Sequence, residues 1–172
     1  MRGSFKTRLR AKRTRQKMKR KKNVFKFAIH EVGHYVIRKS FYPQELLEIR
    51  VSSKGGRLYG TVSLQGRPIQ DDHPRIRLAT SVAGVVAEKL NISQPNQIQE
   101  SFFNYSAGKG DKLIFIEAKH DLKKIRHNLS FETVQSAFDI QVAEAKSKFE
   151  KFGWSKMIEL AKLVREKRFV VA

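Results

Sequence analysis

The spacing of apolar positions divides the chain into segments of helical and of strand periodicity. Apolar residues cover most of a helical wheel between residues 24 and 40, which predicts a largely buried helix. From Leu47 to Leu64 the period changes to two on either side of a Ser-Lys-Gly-Gly turn, which predicts a β-hairpin. Apolar steps of three and four then predict four further helices, over residues 74–90, after Gly110, from about residue 130 to Gly153, and over 155–167.

These segments together predict an α+β fold that is mainly helical, with one small β-sheet and a C-terminal helical bundle. The 172 residues of the chain are enough for one compact domain and a tail. Three phenylalanines of the last long helix, Phe138, Phe149 and Phe152, are assigned to the core, and residues 91–106 are predicted to be a loop. The folded domain is therefore expected to span residues 24–172.

Charge is distributed unevenly along the chain. Of 36 Lys and Arg residues, 12 lie in residues 1–22, which contain no acidic residue, and the remainder of the chain has a net charge of +8. Because Phe5, Leu9 and Met18 are the only sizeable apolar residues there, residues 1–23 are predicted to form a disordered basic tail. Such a polycation suits an anionic partner, either nucleic acid or an acidic membrane surface, and charge alone does not distinguish the two. A solubilising extension without a partner is the plain alternative.

Cysteine content and hydropathy limit the compartment and the kind of metal site. The chain has no cysteine, so a metal site would use histidine and carboxylate ligands. No apolar run reaches the roughly 18 to 20 residues that span a bilayer, and the N-terminus lacks the apolar stretch of a secretory signal. We therefore expect no integral membrane segment and a cytoplasmic location. An Arg-rich start without acidic residues also weakly resembles an organelle transit peptide, which leaves an organelle as the alternative.

The segment His30-Glu31-Val32-Gly33-His34 carries the strongest chemical signal. Histidines at i and i+4 project from one face of a helix, so two imidazoles can bind one Zn²⁺ ion, and the glutamate at i+1 lies beside the metal's open position as a general base. The alternative is a buried helix with two incidental histidines. That alternative is disfavoured because burying two imidazoles and a carboxylate is costly unless a partner satisfies them.

The residues alone leave the third metal ligand open, since a catalytic zinc site takes three protein ligands and one open position. Asp111 could instead cap the helix that follows it. Glu88 could accept a hydrogen bond from a metal-bound imidazole, or it could be a surface residue at a helix end. The candidates for the third ligand are Asp111, Glu88, Glu117, His120 and Asp121.

Several motifs, in order and spacing, resemble the peptidase domain of the FtsH-type membrane-anchored, ATP-dependent zinc proteases. The resemblance covers nearly all of residues 24–172. The motifs that carry it are Ala28-Ile29-His30-Glu31-Val32-Gly33-His34, the hairpin over residues 48–62, Arg77-Leu78-Ala79 with Gly84-Val85-Val86-Ala87-Glu88, Gly108-Lys109-Gly110-Asp111, and the distal helices ending at Lys167.

The resemblance implies a zincin-like fold, one Zn²⁺ per chain and Asp111 as the third ligand, with Glu117 or His120 as the next choice. It also implies hydrolysis of peptide bonds in flexible or unfolded polypeptides. The family's transmembrane segment and phosphate-binding loop are not found in this sequence. We therefore expect activity without ATP within this chain, or a separate ATPase partner.

An extended substrate is expected to add to the edge of the hairpin through sequence-independent backbone hydrogen bonds. The expected strand consists of Gly60, Thr61, Val62, Ser63 and Leu64. A second hypothesis is a catalytically silent copy of the same fold. It would act as a nucleic-acid-binding or protein-interaction (adaptor) module through the basic tail. The intact His-Glu-X-X-His segment argues against it, because a retired site has no physical reason to keep the general base.

Overall fold

The computed structural model describes residues 5–55, 57–91, 108–125 and 134–171. Within these ranges the protein is mainly helical with one small antiparallel sheet, as the sequence predicts. A short 3₁₀ helix, Ile69–Asp71, precedes the second α-helix. The main elements are α1 (Phe5–Phe41), β1 (Leu47–Lys54), β2 (Arg57–Leu64), α2 (Pro74–Asn91), α3 (Gly108–Ile125), α4 (Val134–Phe152), α5 (Trp154–Lys167) and β3 (Phe169–Val171).

The predicted hairpin is confirmed, and it forms two strands of a three-stranded sheet in the order β2-β1-β3. β1 pairs with β2 over its whole length, from Leu47 opposite Leu64 to Lys54 opposite Arg57. β1 and β2 bury alternate residues on one face, as an antiparallel sheet with one solvent-exposed face should. β2 is consequently an edge strand, and it borders the cleft described below.

The core is built around the second half of α1, where residues 28–37 are all buried. α1 packs closely against α2 because small residues face each other at the contact. A Cβ atom on Gly33 would lie 2.6 Å from the carbonyl oxygen of Ala83 and 2.9 Å from the Cβ of Ala87. Such distances leave no room for a larger residue on either helix. Of the three predicted core phenylalanines, Phe138 and Phe149 are buried and Phe152 is partly buried against the core.

The first helix is longer than the sequence analysis expects. α1 begins at Phe5 and continues without interruption into the buried segment, whereas residues 1–23 were expected to be disordered. The reason is local: residues 5–32 contain neither proline nor glycine, and Lys, Arg and Gln have high helix propensities. A segment with too few apolar residues to form a core is not expected to be buried. It can still form a helix in solvent.

The predicted loop over residues 91–106 lies outside the described residues, apart from Asn91, which ends α2. In the part of the chain that the structure describes, none of the helices has an apolar stretch long enough to cross a bilayer.

Candidate metal centre

Two helices bring three potential metal ligands together. His30 and His34 lie one turn apart on α1 and are buried, and Asp111 lies in the first turn of α3 opposite them. The Nε2 atoms of the two histidines are 3.0 Å apart, and Asp111 oxygens lie 2.9 Å from His30 Nε2 and 3.5 Å from His34 Nε2. The edge of a tetrahedron with metal bonds of about 2.0 to 2.1 Å measures about 3.3 Å. The two nitrogens are close to this spacing, each has one Asp111 oxygen within 3.5 Å, and the three residues each offer one ligand atom within 4.8 Å of the other two, so they can occupy three positions around one ion.

The remaining ring nitrogens of both histidines face hydrogen-bond acceptors on α2. His34 Nδ1 lies 2.7 Å from the backbone oxygen of Thr80, and His30 Nδ1 lies 2.9 Å from Glu88 Oε1. Since a carbonyl and a carboxylate can only accept, these neighbours favour the proton of each neutral imidazole on Nδ1. Neutral imidazoles would then direct their Nε2 lone pairs at each other and at the Asp111 carboxylate. Three acceptors in contact require a cation between them, and the donor set fits a metal ion or bound protons.

The electrostatics of the three residues lead to the same conclusion. Burial alone would lower the pKa of His30, but the charge and contact of Asp111, with help from Glu88 and Glu31, raise it well above its usual value. For His34, burial likewise opposes the Asp111 charge, and the net pKa is also raised. Burial would raise the pKa of Asp111, yet the two imidazoles hold it far below its usual range. The pocket therefore favours positive charge at the histidines, which bound protons or a metal ion can supply.

Glu88 lies where a carboxylate can orient His30. Its second oxygen, Oε2, is 2.8 Å from Nζ of Lys26. Burial would raise the pKa of Glu88, but contact with His30 and Lys26 lowers it, so the carboxylate is ionised and accepts from His30. The surface alternative for Glu88 does not hold, because only 12% of its side chain is exposed.

The other candidate ligands do not join this group within the described residues. Glu117 and His120 are exposed on α3. Asp121 forms an ion pair with Arg77 at 2.5 Å. Of the four open alternatives to Asp111, only Glu88 lies near the histidines, and it contacts the outer nitrogen of one of them.

Glu31 lies against the edge strand. It is buried, and a Cβ atom on Gly60 of β2 would collide with its carboxylate. Burial raises the pKa of Glu31 above its ordinary value of 4.5, although the neighbouring histidines oppose the shift. A carboxyl group with a raised pKa can take up and return a proton closer to neutral pH than an exposed one.

A cleft of about 810 Å³ lies between the histidines and β2. Its lining includes Glu31, both histidines and Asp111, and one side consists of residues 58–63 of the edge strand. The cleft thus places a run of strand backbone beside the three candidate ligands and the candidate base.

The open edge of β2 is shorter than the expected substrate strand over Gly60–Leu64. The N–H and C=O groups of Leu64 both bond to Arg67, and the carbonyl of Val62 accepts a 2.6 Å hydrogen bond from Arg38 Nη1. Alternate residues of a strand direct their backbone groups to the same side. Leu58 and Gly60 therefore direct theirs to the open edge, whereas Thr61 and Ser63 direct theirs to β1. The backbone groups of Leu64 are thus already occupied and those of Gly60 are open, and the expected substrate strand over Gly60–Leu64 stays a prediction.

Sequence reasoning missed the buried ion pair that fixes this strand. Arg38 is fully buried on α1, four residues after His34, and its guanidinium lies 2.8 and 3.0 Å from the two oxygens of Asp72. Tyr42 also donates a hydrogen bond to Asp72. The signal available in the sequence was the position of Arg38, which continues the buried face of the helix that carries both histidines.

Comparisons of this chain with protein-family models, with curated proteins and with solved structures found no match. The resemblance to FtsH-type peptidases therefore remains a prediction that rests on the motifs of the sequence.

Proposed function

We propose that this chain is a zinc metallopeptidase in which His30, His34 and Asp111 hold one Zn²⁺ and Glu31 is the general base. The observation that carries the proposal is the convergence of His30 Nε2, His34 Nε2 and the Asp111 carboxylate, with contacts of 2.9 to 3.5 Å, and with each outer imidazole nitrogen facing an acceptor on α2. Two imidazole nitrogens and one carboxylate oxygen are a donor set that zinc accepts, and all three residues line the cleft, where a bound ion would have room for a water molecule or a substrate.

A zinc ion in this position would polarise the scissile carbonyl and make a water molecule nucleophilic near neutral pH. The chain itself has to move the proton. Glu31 would accept it from the attacking water and then deliver it to the departing amine, and its raised pKa suits both transfers. Glu88 and the Thr80 carbonyl would keep the two imidazoles in the orientation that binds metal through Nε2.

The edge strand supports a peptide as the substrate. An extended polypeptide can pair with the outward backbone groups of Leu58 and Gly60, and Gly60 lies against Glu31. Such pairing depends on backbone hydrogen bonds of the substrate and not on its side chains, so flexible segments of many sequences would bind. Folded proteins would need to be unfolded first, for which a separate ATPase is the proposed partner.

The test combines metal content with a matched pair of variants. Purified protein loaded with Zn²⁺ should contain one ion per chain by elemental analysis. Glu31→Gln should keep the zinc but lower cleavage of casein or a flexible peptide by about 10²- to 10⁴-fold, the usual contribution of a general base. Glu117→Gln removes the same charge from an exposed site on α3 and should change neither.

Two results would contradict the proposal. Zinc-loaded Glu31→Gln that cuts as fast as the wild type would exclude the mechanism. A protein that binds no metal would leave only a fold with a basic helix, which is the binding-module hypothesis.

A further inference from the structure

The first helix begins well ahead of its buried part. Its buried part begins at Ala28, and Asn23 and Lys26 are already exposed. The segment ahead of them, residues 5–22, is named the basic arm here. As a continuous helix with a rise of about 1.5 Å per residue, its 18 residues are about 27 Å long. Thr14 in the middle of the arm is exposed.

The arm has 11 Lys and Arg residues and no acidic residue. At roughly 100° per residue, every basic position falls on one of two flanks of the helix, and the centres of the flanks are roughly 170° apart. The first flank consists of Lys6, Arg10, Arg13, Lys17, Arg20 and Lys21. The second flank consists of Arg8, Lys12, Arg15, Lys19 and Lys22. A helix with two opposed cationic flanks is complementary to a ligand that places negative charge on both sides of the helix.

The positions between the flanks argue against a membrane surface. Helices that lie in a lipid interface have a wide apolar face. The two large aliphatic residues of the arm, Leu9 and Met18, are nine residues apart, which places them on opposite sides of the helix. Phe5 is the arm's single aromatic residue, so the arm lacks the aromatic side chains that stack on the bases of single-stranded nucleic acid.

We propose that the basic arm binds double-stranded DNA by lying in the major groove, with one cationic flank toward each phosphate backbone. An α-helix with its side chains is about 10 to 12 Å wide, and the major groove of B-DNA is about 12 Å wide. The major groove of an RNA duplex is too deep and narrow to admit a helix in the same way. Binding of this kind depends on phosphate contacts, so it is independent of base sequence and decreases with salt.

Fluorescence anisotropy of the full-length protein with a labelled 30-base-pair duplex tests the proposal. The arm variant removes four charges from the second flank: Lys12→Gln, Arg15→Gln, Lys19→Gln and Lys22→Gln. Glutamine preserves helix propensity. The control variant removes four exposed charges from α4 and α5: Lys151→Gln, Lys156→Gln, Lys162→Gln and Lys167→Gln. Both variants have the same net charge, which separates the arm from overall charge.

The wild type and the control should bind duplexes of unrelated sequence alike, with log Kd rising linearly with log salt. In the arm variant the slope of log Kd against log salt should be smaller by about 3 to 4, since each of the four lost phosphate contacts lowers it by about 0.9. Equal losses in both variants would overturn the proposal. Tighter binding to an RNA duplex would also overturn it, as would tighter binding to vesicles rich in phosphatidylserine.

Discussion

At the scale of single residues, Gly84 lies where α2 packs against the His30 ring of the proposed metal centre. A Cβ atom there would lie 2.5 Å from Cε1 of the His30 ring. Gly84→Ala should therefore displace the ring, weaken zinc binding by about 10- to 100-fold and cost about 1 to 3 kcal/mol of stability through overpacking. Competition with a chromogenic chelator and thermal unfolding measure the two effects.

Gly110 offers the matched control, because it precedes Asp111 in α3 but a Cβ atom on it would meet nothing within 4 Å. Gly110→Ala should bind zinc like the wild type and unfold at the same temperature or slightly above it. Normal zinc affinity in Gly84→Ala would show that zinc binding does not depend on the present position of the His30 ring.

Glu31 should make the metal-free protein less stable at neutral pH than a variant with an uncharged side chain at this position. Its folded-state pKa is raised, mainly by burial, so folding favours the protonated carboxyl. The stabilising contribution of a group with a raised pKa is complete below the unfolded-state pKa and is lost as the pH rises through the folded-state pKa. Metal-free Glu31→Gln should therefore melt at a higher temperature than the wild type at pH 7.

This advantage of Glu31→Gln should shrink as the pH falls through the raised pKa and be absent below about 4.5, the ordinary value for glutamate. Calorimetry from pH 4 to pH 8, with chelator present, follows the difference. Glu117→Gln is again the control and should show no such pattern, since Glu117 is exposed. A difference that is constant with pH would mean that packing, and not ionisation, separates the variants.

The sequence predicts the site residues unequally, for physical reasons. His30, Glu31 and His34 follow from helical spacing alone, because four residues make one turn. Asp111 is separated from them by 77 residues, and only the resemblance, not periodicity, selected it among five candidates. Arg38 and Asp72 were missed, although Arg38 continues the buried face of its helix, because charged residues are almost always solvated and their burial here depends on a partner far away in sequence.

At the scale of elements, Arg38 joins α1 to the edge strand through its hydrogen bond to Val62, and Asp72 pairs with the same guanidinium. Both side chains are fully buried, so removing Asp72 leaves a buried Arg38 charge without its carboxylate, and removing Arg38 leaves Asp72 with only the longer contact to Arg67 at 3.5 Å. Arg38→Met or Asp72→Leu should each cost about 3 to 5 kcal/mol, and the double variant should recover part of that loss. Urea unfolding of the metal-free proteins measures the cycle.

The exposed ion pair between Arg50 and Glu48, at 3.5 Å, provides the comparison. Arg50→Met should cost no more than about 1 kcal/mol, as is usual for pairs at the surface. Strictly additive losses in the Arg38 and Asp72 cycle would mean that the two residues act separately and that the ion pair is not what fixes β2.

Elements with a strong period were predicted from the sequence, and elements defined by tertiary contacts were not. The hairpin and α2 have the bounds that apolar spacing indicates, within one residue for α2. β3 was missed because its three residues are too few to show alternation and follow α5 after a single residue, Arg168, with a φ of 65°. Strand β3 exists because β1 offers an edge to pair with, which local sequence cannot reveal.

At the scale of the whole molecule, one helix connects the two proposed activities. Residue 22 at the end of the basic arm is eight residues, or about 12 Å along the helix, from His30. If both proposals hold, DNA bound by the arm would keep the cleft close to polypeptides on the same DNA. Their effective concentration would be raised without any new contact at the cleft.

Cleavage of a tethered peptide tests this coupling. A flexible peptide joined to the end of a 30-base-pair duplex should be cut about 10- to 100-fold more efficiently than the free peptide at low salt. The advantage should disappear in the arm variant and at high salt, because it depends on screened phosphate contacts. The free peptide should be cut equally by the wild type and the arm variant, which separates failure of the arm from failure of the metal centre. Equal cleavage of the tethered and free peptides by the wild type would show that the arm, even when bound to DNA, does not present substrates to the cleft.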